Sequence, residues 1–342
     1  MDYMLSEIKE QPWVVKKTLT ENKAVLEKIA VQLAQKQVKT LFIVARGTSD
    51  HVGIYLKYLT EYFLGIPVSL AASSIINLYQ QPMQLTEAVT LAISQSGMGP
   101  DIVNVIRSAN TAGGMTIGIT NEPESTLAEV ANYILLCQAG KELSVAATKT
   151  CTTSMAIGAA LIEFWSGKEG YLQEIPELIA KMLTYFDKIG NNLKPFLQAE
   201  GCLVLARGFN YSIALETALK IQETSYLNAR GFSTADFQHG PLALLEQNLP
   251  IILYAFKGPA LKGIVELLGL LRQSKTYIFL VTNDQTLINM ADDYLLLPET
   301  LPEVITPFAT VVFGQIFAYH LARAKGLDPN QPRNLKKVTQ TL

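Results

Sequence analysis

Cysteine, histidine and charge are all scarce in this chain. Only three of its 342 residues are cysteine and three are histidine, and 17% are charged. Cys137, Cys151 and Cys202 are scattered in apolar surroundings, odd in number and without a CxxC pair. That argues against a disulfide framework and fits reduced thiols in the cytoplasm. The formal net charge is -2, and no basic stripe is present, so a broad nucleic-acid surface is not expected. The opening MDYMLSEIKEQPW carries acidic residues and no long apolar stretch, which is unlike a secretory signal. No apolar run reaches the roughly 18 residues of a membrane helix, so no membrane partner is expected. There is no lysine-bearing phosphate loop and no GxGxxG after a strand, the two common nucleotide-binding signatures.

What the chain does have is apolar residues, 49% of the total. With so little charge, much of it must be buried in packed layers or in a subunit interface. Short apolar runs alternate with helix-period segments, the pattern of a parallel sheet with crossover helices. Strands are predicted at 40–45, 67–71, 88–93, 115–119 and 133–137, and again at 202–206, 250–255, 276–281 and 293–297. Two runs resemble each other: Leu41 to Ala45 ends in Ala45-Arg46-Gly47, and Cys202 to Ala206 ends in Ala206-Arg207-Gly208. Helices are predicted to follow each, at 51–63 and 211–226. The length suits two domains, so we expect a duplicated α/β architecture with a pseudo-twofold arrangement. Its parts are a helical arm at 1–36, domains at 37–168 and 200–325, a charged helical linker at 169–199, and a polar tail at 326–342. Glu174, Glu177, Lys181, Asp187 and Lys188 of the linker are expected to face solvent.

Ligands of open α/β sheets bind beyond the carboxyl ends of the strands, so the loops there matter most. The third strand runs into Ser94-Gln95-Ser96-Gly97, ahead of a helix predicted from about Asp101 to Ala112. Amides and the dipole at a helix start attract anions, and the two serines add hydroxyls. A monophosphate on a neutral metabolite fits this loop better than a nucleotide; ordinary capping by serine is the alternative. Thr48 and Ser49 lie on the same sheet edge, with capping of the 51–63 helix as their alternative. On 211–226, Glu216, Lys220 and Glu223 share one stripe, and Leu215, Ala218, Leu219, Gln222 and Tyr226 another. The titratable stripe reads either as a solvated salt-bridge face or as an acid–base site. His239, in FQHGPLALL at 237–245, stands at a bend before Gly240-Pro241. A carboxylate, a histidine and a lysine suffice for proton transfer between C1 and C2 of a sugar phosphate, ring opening, and Schiff-base chemistry.

With those residues in view, the chain resembles the sugar isomerase (SIS) family: the isomerase half of glucosamine-6-phosphate synthase and the stand-alone, synthase-like glucosamine-6-phosphate deaminases. The likeness is carried by MLSEIKEQPWVVKKTL at 4–19, ARGTS at 45–49, ISQSG at 93–97, KELSVAATKT at 141–150, ARGFNYSIALETALKIQETSY at 206–226, FQHGPLALL at 237–245 and DPNQPRNLKKVT at 328–339. It implies two flavodoxin-like SIS domains and a homodimer in which His239 is donated across the interface. The tail would close the active site, and no metal or organic cofactor would be needed. It also implies phosphate contacts at Ser49, Ser94, Gln95 and Ser96, with Thr48 and Gly97 beside them, and Glu142 near the substrate. Glu223 becomes the C1–C2 proton shuttle, Lys220 the helix lysine, His239 the ring opener and Lys337 the Schiff-base lysine.

Departures from the family pattern refine these expectations. Asp2, not cysteine, follows Met1, so no glutamine hydrolysis is expected. Gly99 replaces a family hydroxyl after the loop, Ala147 replaces a serine that contacts sugar, and Gln222 replaces a lysine beside the base. The SQSGxxPD and VAATKT patterns favour glucosamine 6-phosphate going to fructose 6-phosphate and ammonia. A fructosamine-6-phosphate deglycase, another SIS aldose–ketose isomerase, a non-catalytic sugar-phosphate sensor and a structural SIS protein remain the alternatives.

Overall fold

The structure is a computed structural model and describes residues 2–168, 171–247 and 249–337. Two helices come first, α1 (Tyr3–Glu21) and α2 (Lys23–Gln35). Alternating strands and helices follow: β1 (Thr40–Val44), α3 (Thr48–Leu64), β2 (Val68–Leu70), α4 (Ser73–Asn77), β3 (Ala88–Ile93), α5 (Pro100–Thr111), β4 (Met115–Thr120), α6 (Thr126–Val130) and β5 (Tyr133–Leu136). The helix α7 (Lys149–Ser166) closes this half. The five strands are parallel in the order β2-β1-β3-β4-β5, with Phe42 opposite Thr90 and Leu91 opposite Ile117. Every residue of β3 and β4 is buried, as expected for central strands covered by helices on both faces.

The segment after α7 is not one long helix. It breaks into α8 (Ile175–Leu183), α9 (Phe186–Gly190) and α10 (Lys194–Leu197). Gly190-Asn191-Asn192 and Pro195 account for the last break, since these residues disfavour helix interiors. Glu174, Glu177, Lys181, Asp187 and Lys188 are exposed, as predicted.

The second half repeats the first. It runs β6 (Gly201–Ala206), α11 (Tyr211–Ser225), β7 (Asn228–Ser233), α12 (Thr234–Gln238), β8 (Ile251–Ala255), α13 (Leu261–Gln273), β9 (Ile278–Thr282), β10 (Asp293–Leu296) and α14 (Thr306–Ala324). Its sheet is again parallel, ordered β7-β6-β8-β9-β10. Counted within each half, both sheets read 2-1-3-4-5, the flavodoxin-like order, whose ligand crevice lies between the first and third strands. The duplication seen in the two Ala-Arg-Gly runs is therefore one of topology.

Strand β7 was not predicted. Its sequence Asn228-Ala229-Arg230-Gly231-Phe232-Ser233 has little β propensity. It forms at the sheet edge because Gly231 lets it lie against α11: a Cβ there would sit 2.7 Å from the Ala214 carbonyl oxygen. The core of this half is Leu203, Leu205, Ile251, Leu253, Leu267 and Leu280. The expectation that no apolar run is long enough to cross a membrane needs correction, because Glu303–Ala324 has that length and hydropathy. It is mostly buried, packed on α11 and α9, where Gly314 brings α14 within 2.3 Å of Thr217 Oγ1, measured from a notional Cβ.

By contacts the chain divides into two compact units. Of the described residues, one holds 10–143, 147–168, 171–176 and 336–337; the other holds 2–9, 144–146, 177–247 and 249–335.

Candidate functional site

In the unit built on the first sheet, the β3–α5 loop is shaped by glycine. Gly97 has φ +60°, and a Cβ there would lie 2.2 Å from Ser125 Oγ and 3.0 Å from Thr120 Oγ1, so no other residue fits without a shift. Ser94 Oγ accepts from the Gly97 amide at 3.2 Å, and Ser96 Oγ accepts weakly from the Met98 amide at 3.4 Å. Neither O–H has an acceptor among the described residues, and the Ser49 hydroxyl and Gln95 amide side chains likewise make no hydrogen bond there. Unspent donors on one sheet edge are what an oxyanion requires. For Ser94 and Ser96 the capping alternative does not hold. Helix α5 starts at Pro100 with Gly99 as its cap, α3 starts at Thr48 with Gly47 as its cap, and neither cap has a side-chain hydrogen bond. Thr48 and Ser49 thus occupy the first turn of α3, where the Ser49 amide donates back to the Arg46 carbonyl at 3.1 Å.

The same unit holds Glu142 and Lys337, 195 residues apart in sequence. Glu142 is buried, 6% exposed. It accepts from the Thr148 and Thr150 amides, each at 3.0 Å, and from the Thr150 hydroxyl at 2.7 Å. Both amides donate to Oε1, and Lys337 Nζ shares Oε2 with the Thr150 hydroxyl. Burial pushes the Glu142 pKa upward, but the Lys337 charge, its hydrogen bond and those of Thr150 outweigh that and hold it below the usual carboxylate range. Glu142 is therefore an anion that fixes the lysine. The start of α7 supplies this cage, with Thr148 at its cap position and Ala147, half-buried, just before it.

In the other unit, α11 inverts the expected faces. Glu216 and Lys220 are each 1% exposed, and Lys220 Nζ lies 3.4 Å from Glu216 Oε1. Lys220 also donates to Glu223, whose side chain is 21% exposed. The solvated-face reading is overturned. Meanwhile Leu215 and Leu219 of the second stripe are half-exposed and Gln222 is exposed. Glu223 is the member of the buried row that reaches solvent. His239 follows α12 as its C-cap residue, and Ser233 caps the start of that helix, accepting from the Asp236 amide. The His239 side chain is exposed and has no hydrogen-bond partner among the described residues. Among those residues no group of three or more His, Cys, Asp or Glu could hold a metal.

The predicted site residues therefore fall into two sets: Ser49, the 94–97 loop, Glu142, Ala147 and Lys337 in one unit, and Lys220, Glu223 and His239 in the other. Sequence reasoning missed the Thr148–Thr150 cage and the burial of Glu216. The Thr-x-Thr spacing in KELSVAATKT was the available signal for the cage.

A family model described as SIS domain matches residues 35–164 and 196–324. The isomerizing glutamine–fructose-6-phosphate aminotransferase of Aquifex aeolicus is 33% identical over 344 residues, covering 98% of this chain and 57% of that protein. The chain thus spans a little over half the length of such curated relatives. Among solved structures, the C-terminal domain of glucosamine-fructose-6-phosphate aminotransferase from Francisella tularensis is 27% identical with a TM-score of 0.86, covering 96% of this chain and 98% of that one. Glucosamine-6-phosphate deaminase from Thermotoga maritima shares the fold at 20% identity, with a TM-score of 0.74 over 96% of this chain and 100% of that one.

Proposed function

From the premise that the chain belongs to the SIS-domain family, we propose that it is a phosphosugar isomerase that deaminates an amino-sugar 6-phosphate, converting glucosamine 6-phosphate and water to fructose 6-phosphate and ammonia. The observation that carries this is the row on α11. Burying a lysine and a carboxylate costs several kcal/mol per ion before pairing, and this row ends in a carboxylate, Glu223, that reaches solvent. Buried, ion-paired titratable groups that open onto solvent are candidates for functional sites.

His239 opens the sugar ring, giving the free aldehyde at C1. Glu223 takes the proton from C2, so that the C2–H electron pair forms the C1–C2 double bond and the aldehyde oxygen becomes a hydroxyl. The same carboxyl returns a proton to C1, leaving an imine at C2. Water adds to that carbon and ammonia leaves, which balances the reaction without a redox step. Lys220 holds Glu223 in place through its hydrogen bond. Ser49, Ser94, Gln95 and Ser96 bind the 6-phosphate, and Glu142 positions Lys337 at the reacting carbon. Nucleophilic use of the Lys337 amine would first require release from Glu142 and loss of a proton. We further propose a homodimer in which His239 serves the partner's site.

The test is ammonia release from a panel of amino-sugar and fructosamine 6-phosphates, with exchange of the C2 proton followed in deuterated water. Turnover is expected on glucosamine 6-phosphate, and Glu223→Gln should lose about 10²–10⁴ in kcat, the usual contribution of general acid–base catalysis. Release from fructosamine phosphates alone would replace the deaminase reading with a deglycase. Sugar-phosphate binding without exchange on any substrate would make the chain a sensor.

A further inference from the structure

The repeated Ala-Arg-Gly is a motif with no part in the chemistry above. In the first sheet, Arg46 follows β1, and its guanidinium reaches across to the start of α5. Its Nε lies 3.0 Å from Asp101 Oδ2, with Asp101 almost fully buried and Arg46 48% exposed. Arg46 Nη2 donates to the Ser73 hydroxyl at the start of α4, and Nη1 donates to the Ala45 carbonyl at 3.3 Å. Asp101 is held in turn: its carbonyl accepts from Asn77 Nδ2 at 2.9 Å, and Asn77 Oδ1 accepts from Asn104 at 2.9 Å. β1 and β3 are neighbours in the sheet and flank the switch point of the strand order. The Arg46–Asp101 pair therefore joins the loop carrying Thr48 and Ser49 to the far end of the loop carrying Ser94 to Gly97.

The second half of the chain provides an internal comparison. Arg207 follows β6 as Arg46 follows β1, and Lys257-Gly258-Pro259-Ala260 stands where Met98-Gly99-Pro100-Asp101 stands. Ala260 occupies the acid's place, the loop lacks the Ser-Gln-Ser-Gly segment, and Arg207 is exposed with no ion pair among the described residues. The fold is the same in both halves, so it does not require the pair. The pair accompanies the hydroxyl-rich loop.

We propose that Arg46, through Asp101, is a positioning residue for phosphate: the ion pair fixes the separation of the two hydroxyl-bearing loops, so that Ser49 and Ser94–Ser96 converge on one oxyanion. This rests on the assignment of the 6-phosphate to those loops. Preorganised donors bind without a reorganisation cost, and loss of the fork frees both loop ends at once. Asp50, in the first turn of α3, is a further carboxylate within the field of Arg46.

The experiment is calorimetric titration of the full chain with inorganic phosphate and with glucosamine 6-phosphate, alongside steady-state kinetics. Arg46→Met and Asp101→Asn should each weaken phosphate at least about tenfold. They should raise KM by a similar factor, with kcat within about twofold of wild type, the signature of lost uniform binding. Arg46→Lys keeps the charge without the fork and should fall between. Arg207→Met should bind as wild type does. Circular dichroism and melting temperature identify folded variants, and Asp101→Asn keeps the side-chain shape should Arg46→Met not fold. A folded variant with wild-type phosphate affinity, or a loss in kcat with KM unchanged, overturns the positioning role. Failure of the wild type to bind either ligand overturns the phosphate assignment itself, and this inference with it.

Discussion

Replacing Lys220 by methionine should destabilise the unit that contains α11 far more than an ordinary surface substitution. Lys220 Nζ is 3.4 Å from Glu216 Oε1, and both side chains are 1% exposed. At an effective dielectric of about 20, unit charges at that separation attract by roughly 5 kcal/mol. Desolvation of the two ions takes back much of this, so the net worth of the intact pair is small. Removing one member is different, because Glu216 then remains buried beside an apolar side chain, at a cost of about 3–5 kcal/mol. The Glu223 arm adds less, since that carboxylate is 21% exposed and solvent screens it. Against total stabilities of about 5–15 kcal/mol, the loss should be plain in a urea titration at pH 7 followed by circular dichroism, as a lower midpoint with an unchanged slope. The double variant Lys220→Met/Glu216→Leu replaces the pair with apolar side chains and should recover most of the loss, as buried pairs exchanged for packed apolar residues commonly do. If Lys220→Met costs less than about 1 kcal/mol, the value of an exposed pair, then Glu216 does not depend on this cation and the reasoning is wrong.

Gly97→Ala places a methyl 2.2 Å from Ser125 Oγ at φ +60°; we expect the 94–97 loop to be displaced and inorganic phosphate affinity to fall at least about tenfold, and unaltered affinity by calorimetry would remove this loop from the site. His239→Ala and Glu223→Gln, each inactive alone, should complement when mixed and reassociated. One site of the mixed dimer then carries both defects and the other neither, giving roughly a quarter of wild-type activity under twofold symmetry, whereas inactive verified heterodimers would assign His239 to its own chain. His320 is half-buried on α14, its Nε2–H donating to the Phe186 carbonyl at 3.0 Å. Burial lowers its pKa, only partly offset by that hydrogen bond and by Asp187. The unfolded chain therefore takes up the proton first, and stability should fall as pH drops through the unfolded value of about 6.5 until the lower folded value is passed. Melting temperatures between pH 7.5 and 5 should show this, and His320→Gln should flatten that part of the profile; an unchanged slope in the variant would count against it.

Periodicity in the sequence determined the alternation of strands and helices, because each short apolar run has to be covered on both faces wherever it ends up in the sheet. The same local information placed Ser94 to Gly97 at the carboxyl end of a strand and showed the Ala-Arg-Gly duplication that the two sheet orders repeat. Strand β7 escaped it, since its stability comes from an edge position and the close approach that Gly231 permits, not from β propensity. The face α11 buries was not legible either. Helical spacing gives two candidate stripes, and the sequence favoured burial of the one with leucines. Packing against α14 and β7 buried Glu216 and Lys220 instead, as an ion pair 3.4 Å apart. Lys337 meeting Glu142 across 195 residues, and Arg46 finding Asp101 where Arg207 finds no acid among the described residues, are decisions of tertiary structure. A residue's neighbours along the chain fix its backbone, whereas the partner that neutralises its charge is set by which loops the sheet order brings together.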